Sequence, residues 1–173
     1  MGRLKVEQLV LGSVSTNCYF ALNQETKELL IIDPADQPER IFQKAAQMEG
    51  TPVAVLLTHG HFDHISAAEA VRDRYDIPVY ACPQEAEMLW EPSVNMTQYY
   101  GRPVSMKADK MPSDLEVFEA AGFKVQMIFT PGHTKGSCCY YFKDEDVLFS
   151  GDTLFHGSVG RTDFPGGSMS AIV

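Results

Sequence analysis

The chain opens with three short runs in which apolar residues gather, "KVEQLVLG", "NCYFALN" and "ELLIIDPAD". The polar stretch "NQETK" separates the second run from the third, a spacing that predicts a β-hairpin. In "QPERIFQKAAQMEG" the apolar positions Ile41, Phe42, Ala45, Ala46 and Met48 recur at helical intervals, and Gly50 supplies a stop. "PVAVLLTH" is an unbroken apolar run, the pattern of a strand buried on both faces. A helical pattern returns in "ISAAEAVRDRYD", and "IPVYAC" predicts another short buried strand. Alternation of strand and helix points to α/β layering. From about Glu85 to Asp114 the periodicity fades into an apparent long loop carrying the only Trp and two of the seven Tyr, read either as a binding loop or as aromatics pinning a connection to the core. Strands resume in "FKVQMIFT", "SCCYYFK" and "DVLFSGD", the last two joined by the polar turn "KDED".

The two halves echo each other. "NCYFALNQETKELLIID" and "SCCYYFKDEDVLFSGD" both read as a hairpin whose second strand ends in Asp, which sets Asp33 against Asp152 and hints at two similar β units facing each other in a sandwich. At 173 residues the chain is expected to form one domain, and 45% hydrophobic with 21% charged residues is ordinary for a folded globular unit.

A formal charge of −9 with fourteen scattered basic residues disfavours nucleic acid as a partner. No apolar run reaches the roughly 18 residues that span a bilayer, so no membrane partner is expected. "MGRLKVEQLVLG" lacks the form of a signal peptide, so a cytoplasmic location is expected. The four cysteines, Cys18, Cys82, Cys138 and Cys139, have no CxxC spacing and read as buried reduced thiols rather than as zinc ligands.

The densest chemistry lies just after the central apolar strand. "THGHFDH" places three of the five histidines and an aspartate within seven residues. In an extended segment His59 and His61 face the same way, so both imidazoles reach one ion. Asp63 and His64 follow where the chain turns into the next helix and address a neighbouring position. The competing reading makes Asp63 a helix cap and leaves the histidines to backbone partners. Two further strand ends weigh against it: "TPGHTKGS" fixes His133 in a Pro-Gly turn, and "SGDTLF" presents Asp152 after Gly151. Imidazoles and carboxylates gathered in this way suit zinc, with iron or manganese compatible by ligand type.

In "LTHGHFDH", "TPGHTKGS", "SGDTLF" and "GRTDFPGG", with "IIDP" upstream, the chain resembles the metallo-β-lactamase-fold hydrolases, and most closely their bacterial glyoxalase II-like members. The resemblance implies an α/β fold of the four-layer αββα sandwich type, with metals at one edge between the sheets. It implies that His59, His61 and His133 hold a first divalent ion, that Asp63 and His64 hold a second, and that Asp152 bridges the two. Asp63 would also orient the attacking water, which makes Asp63 and Asp152 the expected catalytic carboxylates.

The family's second site takes a further histidine from a later "PGHG"-like segment. Here "GGSMSAIV" starts a helix and the sequence ends at Val173, so the domain is expected to lack its last helix and strand. His156 is the remaining histidine, read either as a substitute ligand or as a solvent-facing residue. Arg161 stands where the resemblance places a basic residue that contacts a thiol substrate; the alternative is an Arg that fixes its loop through Asp163. The implied activity is dinuclear-metal hydrolysis of a small-molecule thioester such as an acyl-glutathione conjugate. A mononuclear-iron persulfide dioxygenase using His59, His133 and Asp152, and a metal-binding module without turnover, are the rival expectations.

Overall fold

The computed structural model describes residues 3–173. Strand β1 (Leu4–Leu11) pairs antiparallel with β2 (Thr16–Asn23), and β2 pairs antiparallel with β3 (Glu28–Ile32), which is the hairpin predicted by "NQETK". Helix α1 (Pro38–Gln47) starts with Pro at its first position, where the missing N–H costs nothing, and carries the chain back to β4 (Thr51–Leu56). β4 lies parallel to β3.

After β4 come the single turn α2 (Phe62–Ile65), then α3 (Ala68–Tyr75) and β5 (Val79–Tyr80), which completes a sheet of order β1-β2-β3-β4-β5. A second, antiparallel sheet joins β6 (Val117–Ala120), β7 (Phe123–Phe129), β8 (Cys138–Phe142) and β9 (Val147–Phe149) in sequence order.

Period-two alternation in β3 divides the core. Leu29 and Ile31 join Ile41, Ala45 and Val71 in the layer between the first sheet and its helices. Leu30 and Ile32 point the other way and meet Phe123, Val125, Met127 and Tyr140 of the second sheet. All four β3 residues are fully buried, so a one-residue slip in register would exchange the contents of the two cores. These are the helix, sheet and sheet layers of the expected αββα sandwich. The two hairpins matched in the sequence, β2–β3 and β8–β9, fall one in each sheet.

Several elements depart from the sequence expectation. Within the segment read as irregular from Glu85, a 3₁₀ turn (Pro83–Glu85) leads directly into α4 (Ala86–Trp90), and the irregular stretch begins only after it. β6 and the small hairpin β10 (Leu154–Phe155) with β11 (Ser158–Val159) are too short to show periodicity. The turn α5 (Met169–Ile172) follows Ser168, whose N–H donates to the Gly132 carbonyl at 2.7 Å. All four cysteines are buried and free, as expected. Among the described residues no helix is long and apolar enough to cross a membrane.

Candidate metal centre

Three strand ends converge at one edge of the sandwich. His59 and His61 follow β4, and His61 is the extended residue (φ −66°, ψ 150°) immediately before α2, which then carries Asp63 and His64. His133 lies in the β7–β8 loop, and Asp152 follows β9. Gly151 between β9 and Asp152 has φ +49°, and a Cβ there would collide with the Thr58 side chain, so the close approach of these two loops requires glycine.

The structure brings together all six residues expected as ligands. His59, His61, His64 and His133 are 2–4% exposed. His61 Nδ1 lies 2.9 Å from His133 Nε2. The Asp152 carboxylate spans two histidines, with Oδ1 3.3 Å from His64 Nε2 and Oδ2 3.5 Å from His133 Nε2. Asp63 Oδ2 is 3.5 Å from His64 Nε2 and accepts a 2.5 Å hydrogen bond from Thr16 Oγ1. Ligand-type atoms of His59, His61 and His133 form one group within 4.8 Å, and those of His59, His64 and Asp152 form a second, so His59 stands at the junction. His156 sits exposed in the β10–β11 turn, outside both groups.

Two residues not singled out from the sequence organise this cluster. Asp33 is buried and accepts three hydrogen bonds: from the Thr58 N–H at 2.8 Å, from Thr58 Oγ1 at 2.6 Å, and from His64 Nδ1 at 2.9 Å. Because the Thr58 hydroxyl spends its proton on Asp33, it accepts from His59 Nδ1 at 3.1 Å. Asp33 thus fixes the tautomer of His64 directly and of His59 through Thr58, leaving both Nε2 atoms aimed into the cluster. Its backbone is left-handed at φ +50°, a conformation that Asp and Asn tolerate better than most residues. The alignment of Asp33 with Asp152 at the ends of similar hairpins was the signal in the sequence.

Glu85 is the other. It is 1% exposed, and its Oε1 accepts the N–H of Gly60, between the two histidines of the His59/His61 pair. On its other side Glu85 meets Gly136 of the His133 loop, where any Cβ would clash. Burial raises its carboxyl pKa.

Electrostatics separate the histidines. Burial, with the neighbouring imidazoles, pushes His59 well below its ordinary value and His61 down to about 3. Burial acts on His64 in the same direction, but Asp33 and Asp152 outweigh it, and His64 is held well above its ordinary value. Burial alone would raise Asp152, yet His64 lowers it on balance.

Whether a cation fits is decided by two atoms. His59 Nε2 and His61 Nε2 are buried without a hydrogen-bond partner. Such a group costs about 1–3 kcal/mol, so an unpaired acceptor here needs an electrophile. The neutral imidazoles of His59 and His61 beside an ionised carboxylate fit a divalent ion.

Arg161 lines the cavity before this cluster. Its backbone carbonyl accepts from His133 Nδ1 at 2.8 Å, which turns His133 Nε2 inward. Its guanidinium grips both oxygens of Asp163 at 2.7 and 2.8 Å and lies 3.9 Å from the centre of the Phe164 ring. The geometry shows the loop clamp through Asp163, on a residue that also borders the cavity.

Residues 11–172 match the Metallo-beta-lactamase superfamily. A probable metallo-hydrolase of Bacillus subtilis, YqgX, is 38% identical over 98% of this chain and 81% of its own length. The hydroxyacylglutathione hydrolase GloC of Haemophilus influenzae is 29% identical, again over 98% of this chain and 81% of its own. Among solved structures, the BLEG-1 B3 metallo-beta-lactamase superposes with a TM-score of 0.90 at 40% identity, covering 97% of this chain and 81% of that one.

Proposed function

The chain belongs to the metallo-beta-lactamase superfamily, and we propose that it is a hydrolase of thioesters in which His59, His61 and His133 hold one divalent ion, Asp63 and His64 a second, and Asp152 reaches both. The observation that carries this reading is the Asp152 carboxylate, whose two oxygens stand 3.3 and 3.5 Å from histidines of the two groups. The all-imidazole triad with carboxylates beside it favours zinc. The name of the GloC relative supports a thioester as the substrate class.

When bound, paired divalent ions lower the pKa of a shared water toward neutrality and polarise the substrate carbonyl. The chain's own residues do the rest. Neutral His59 and His61 present lone pairs without first losing a proton. Thr16 ties Asp63 Oδ2, so the carboxylate is held in one orientation and takes the proton of the attacking water. A C–O bond forms to the acyl carbon, the C–S bond breaks, and the proton held on Asp63 passes to the departing thiolate. No nucleophilic serine or cysteine takes part; the four thiols are buried. Arg161 borders the cavity as a substrate contact.

The test is elemental analysis followed by assay of the metal-loaded protein on a panel of thioesters. About two zinc ions per chain and turnover of at least one thioester are expected. One tightly bound iron with oxygen uptake on a persulfide, or metal binding without any thioester turnover, would overturn the reading.

A further inference from the structure

The metal centre forms the floor of a cavity of about 770 Å³, and the walls of that cavity differ from its floor. Polar and ionisable groups lie at the bottom, where Thr58, His61, Asp63, His64, His133 and Asp152 meet. The exposed part of the lining, its rim, comes from separate parts of the chain and is mainly apolar: Val14 in the β1–β2 connection, beside the polar Ser15 and Asn17, Leu148 on β9, Leu154 and Phe155 on β10, and Tyr100, which stacks on Phe62 with ring centroids 4.5 Å apart. Val14, Leu148, Leu154 and Phe155 are 53%, 44%, 56% and 45% exposed, so large side chains meet water at the mouth of one cavity. Among the described residues Arg161 is the one Lys or Arg lining it, and its guanidinium is already neutralised by Asp163.

We propose that this rim is an acyl-chain subsite, and that the preferred substrate is a thioester with an apolar acyl chain of medium length, recognised through that chain more than through its thiol. The proposal rests on the thioesterase reading above. Its argument is continuity: an acyl chain whose carbonyl sits on the polar floor can run to the mouth along Leu148, Leu154 and Phe155, which line the same cavity. Each methylene buried there is worth up to about fourfold in binding, and a subsite open on one side returns about two- to fourfold. An anionic thiol such as glutathione meets only an Arg that is already paired, so extra charge on the thiol adds little.

The test is a series of N-acetylcysteamine thioesters, acetyl, butanoyl, hexanoyl and octanoyl, given to the metal-loaded protein. kcat/KM is expected to rise about two- to fourfold per methylene, and the doubly substituted Leu154→Asn, Phe155→Asn protein should show an octanoyl-to-acetyl ratio close to one. Both positions are exposed, and circular dichroism with metal content checks that the variant folds. Calorimetric titration with octanoate and butanoate reads the same subsite without turnover, and octanoate should bind more tightly by the same factor per methylene. Failure of all thioesters with chain-length-dependent carboxylate binding intact would sink the thioesterase reading and leave the subsite standing. Equal turnover along the series, with no preference for octanoate, would overturn the subsite and spare the thioesterase. A rim that instead mates with a second copy would show as dimers dispersed by the double substitution with the chain-length slope unchanged, which also overturns the proposal.

Discussion

The two histidine groups share His59 and lie within one site, yet the fold holds them in opposite ways. In the first, His59 and His61 are stripped of water, neutral, and left with unpartnered Nε2 atoms. In the second, His64 is clasped between Asp33 and Asp152, which hold its pKa well above the ordinary value. The first group has no satisfactory state without an electrophile, whereas the second is content as an ion-pair network. A poised site binds metal at low cost; a self-satisfied one makes the metal compete with a proton. We therefore expect two unequal metal sites, and the variants below attack that inequality.

Removing an imidazole from the first group should do most. His133→Ala deletes a group that faces His61 at 2.9 Å and Asp152 at 3.5 Å, so it strikes both sites. Loss of an orienting partner typically costs about 10–100-fold in metal affinity, and loss of a ligand should exceed about 100-fold. Competition with a chromophoric chelator measures it, and retention of near-native affinity would remove His133 from the ligand set.

Asp33→Asn comes next, and it is a clean substitution because Asn also accepts the left-handed backbone at φ +50°. The carboxylate receives three donors on two oxygens, whereas a carboxamide offers one oxygen, so at least one donor loses its acceptor. His64 loses its partner directly and His59 only through Thr58. The second equivalent of metal should weaken by about 10–100-fold and the first by less. Equal weakening at both would show that Asp33 does not distinguish the groups.

How much of this was legible in the sequence follows from the range of the interactions. β2, β3, β4, β7 and α1 are set by local apolar runs and periodicity and were readable as such, and the six clustered His and Asp residues stood out by type and by position at or just beyond strand ends. The roles of Asp33 and Glu85 were not, although the hairpin match set Asp33 against Asp152, because each takes its meaning from a partner 25 residues away, Thr58 and Gly60. A lone Asp after "LLII" and a Glu opening "EAEMLW" look ordinary until the fold brings the loops together. The turn of helix at Ala86–Trp90 was masked by the aperiodic stretch behind it. β10 and β11 have two residues each, too few for any period to show.

Acidity should sharpen the contrast further. His61, lowered to about 3, and His59, also depressed, stay neutral from pH 5.5 to 8, so these two ligands put little pH dependence into the first site. His64, held well above its ordinary value by Asp33 and Asp152, favours its protonated form, and metal must displace that proton. Affinity for the second equivalent should thus rise with pH, by roughly tenfold per unit while one proton is released. Zinc titrations should saturate near one equivalent at pH 5.5 and near two at pH 8. A stoichiometry that does not change over this interval would contradict the asymmetry.

The smallest effect should come from Thr16→Val, which keeps the β-branched shape on β2 and deletes only the hydroxyl that donates to Asp63 Oδ2. One neutral donor to a carboxylate contributes on the order of 1.5–3 kcal/mol at most, and the 18% exposure of the Asp63 side chain lets water replace part of it. A loss of about three- to tenfold in kcat is expected, with metal content unchanged, because Asp63 would still reach His64 but would no longer be held in one orientation. If Asp63 serves only as a ligand, the same variant would instead lose second-site metal while kcat per bound metal stayed constant. The ratio of activity to metal content therefore separates a carboxylate that handles the proton from one that merely fills a coordination position.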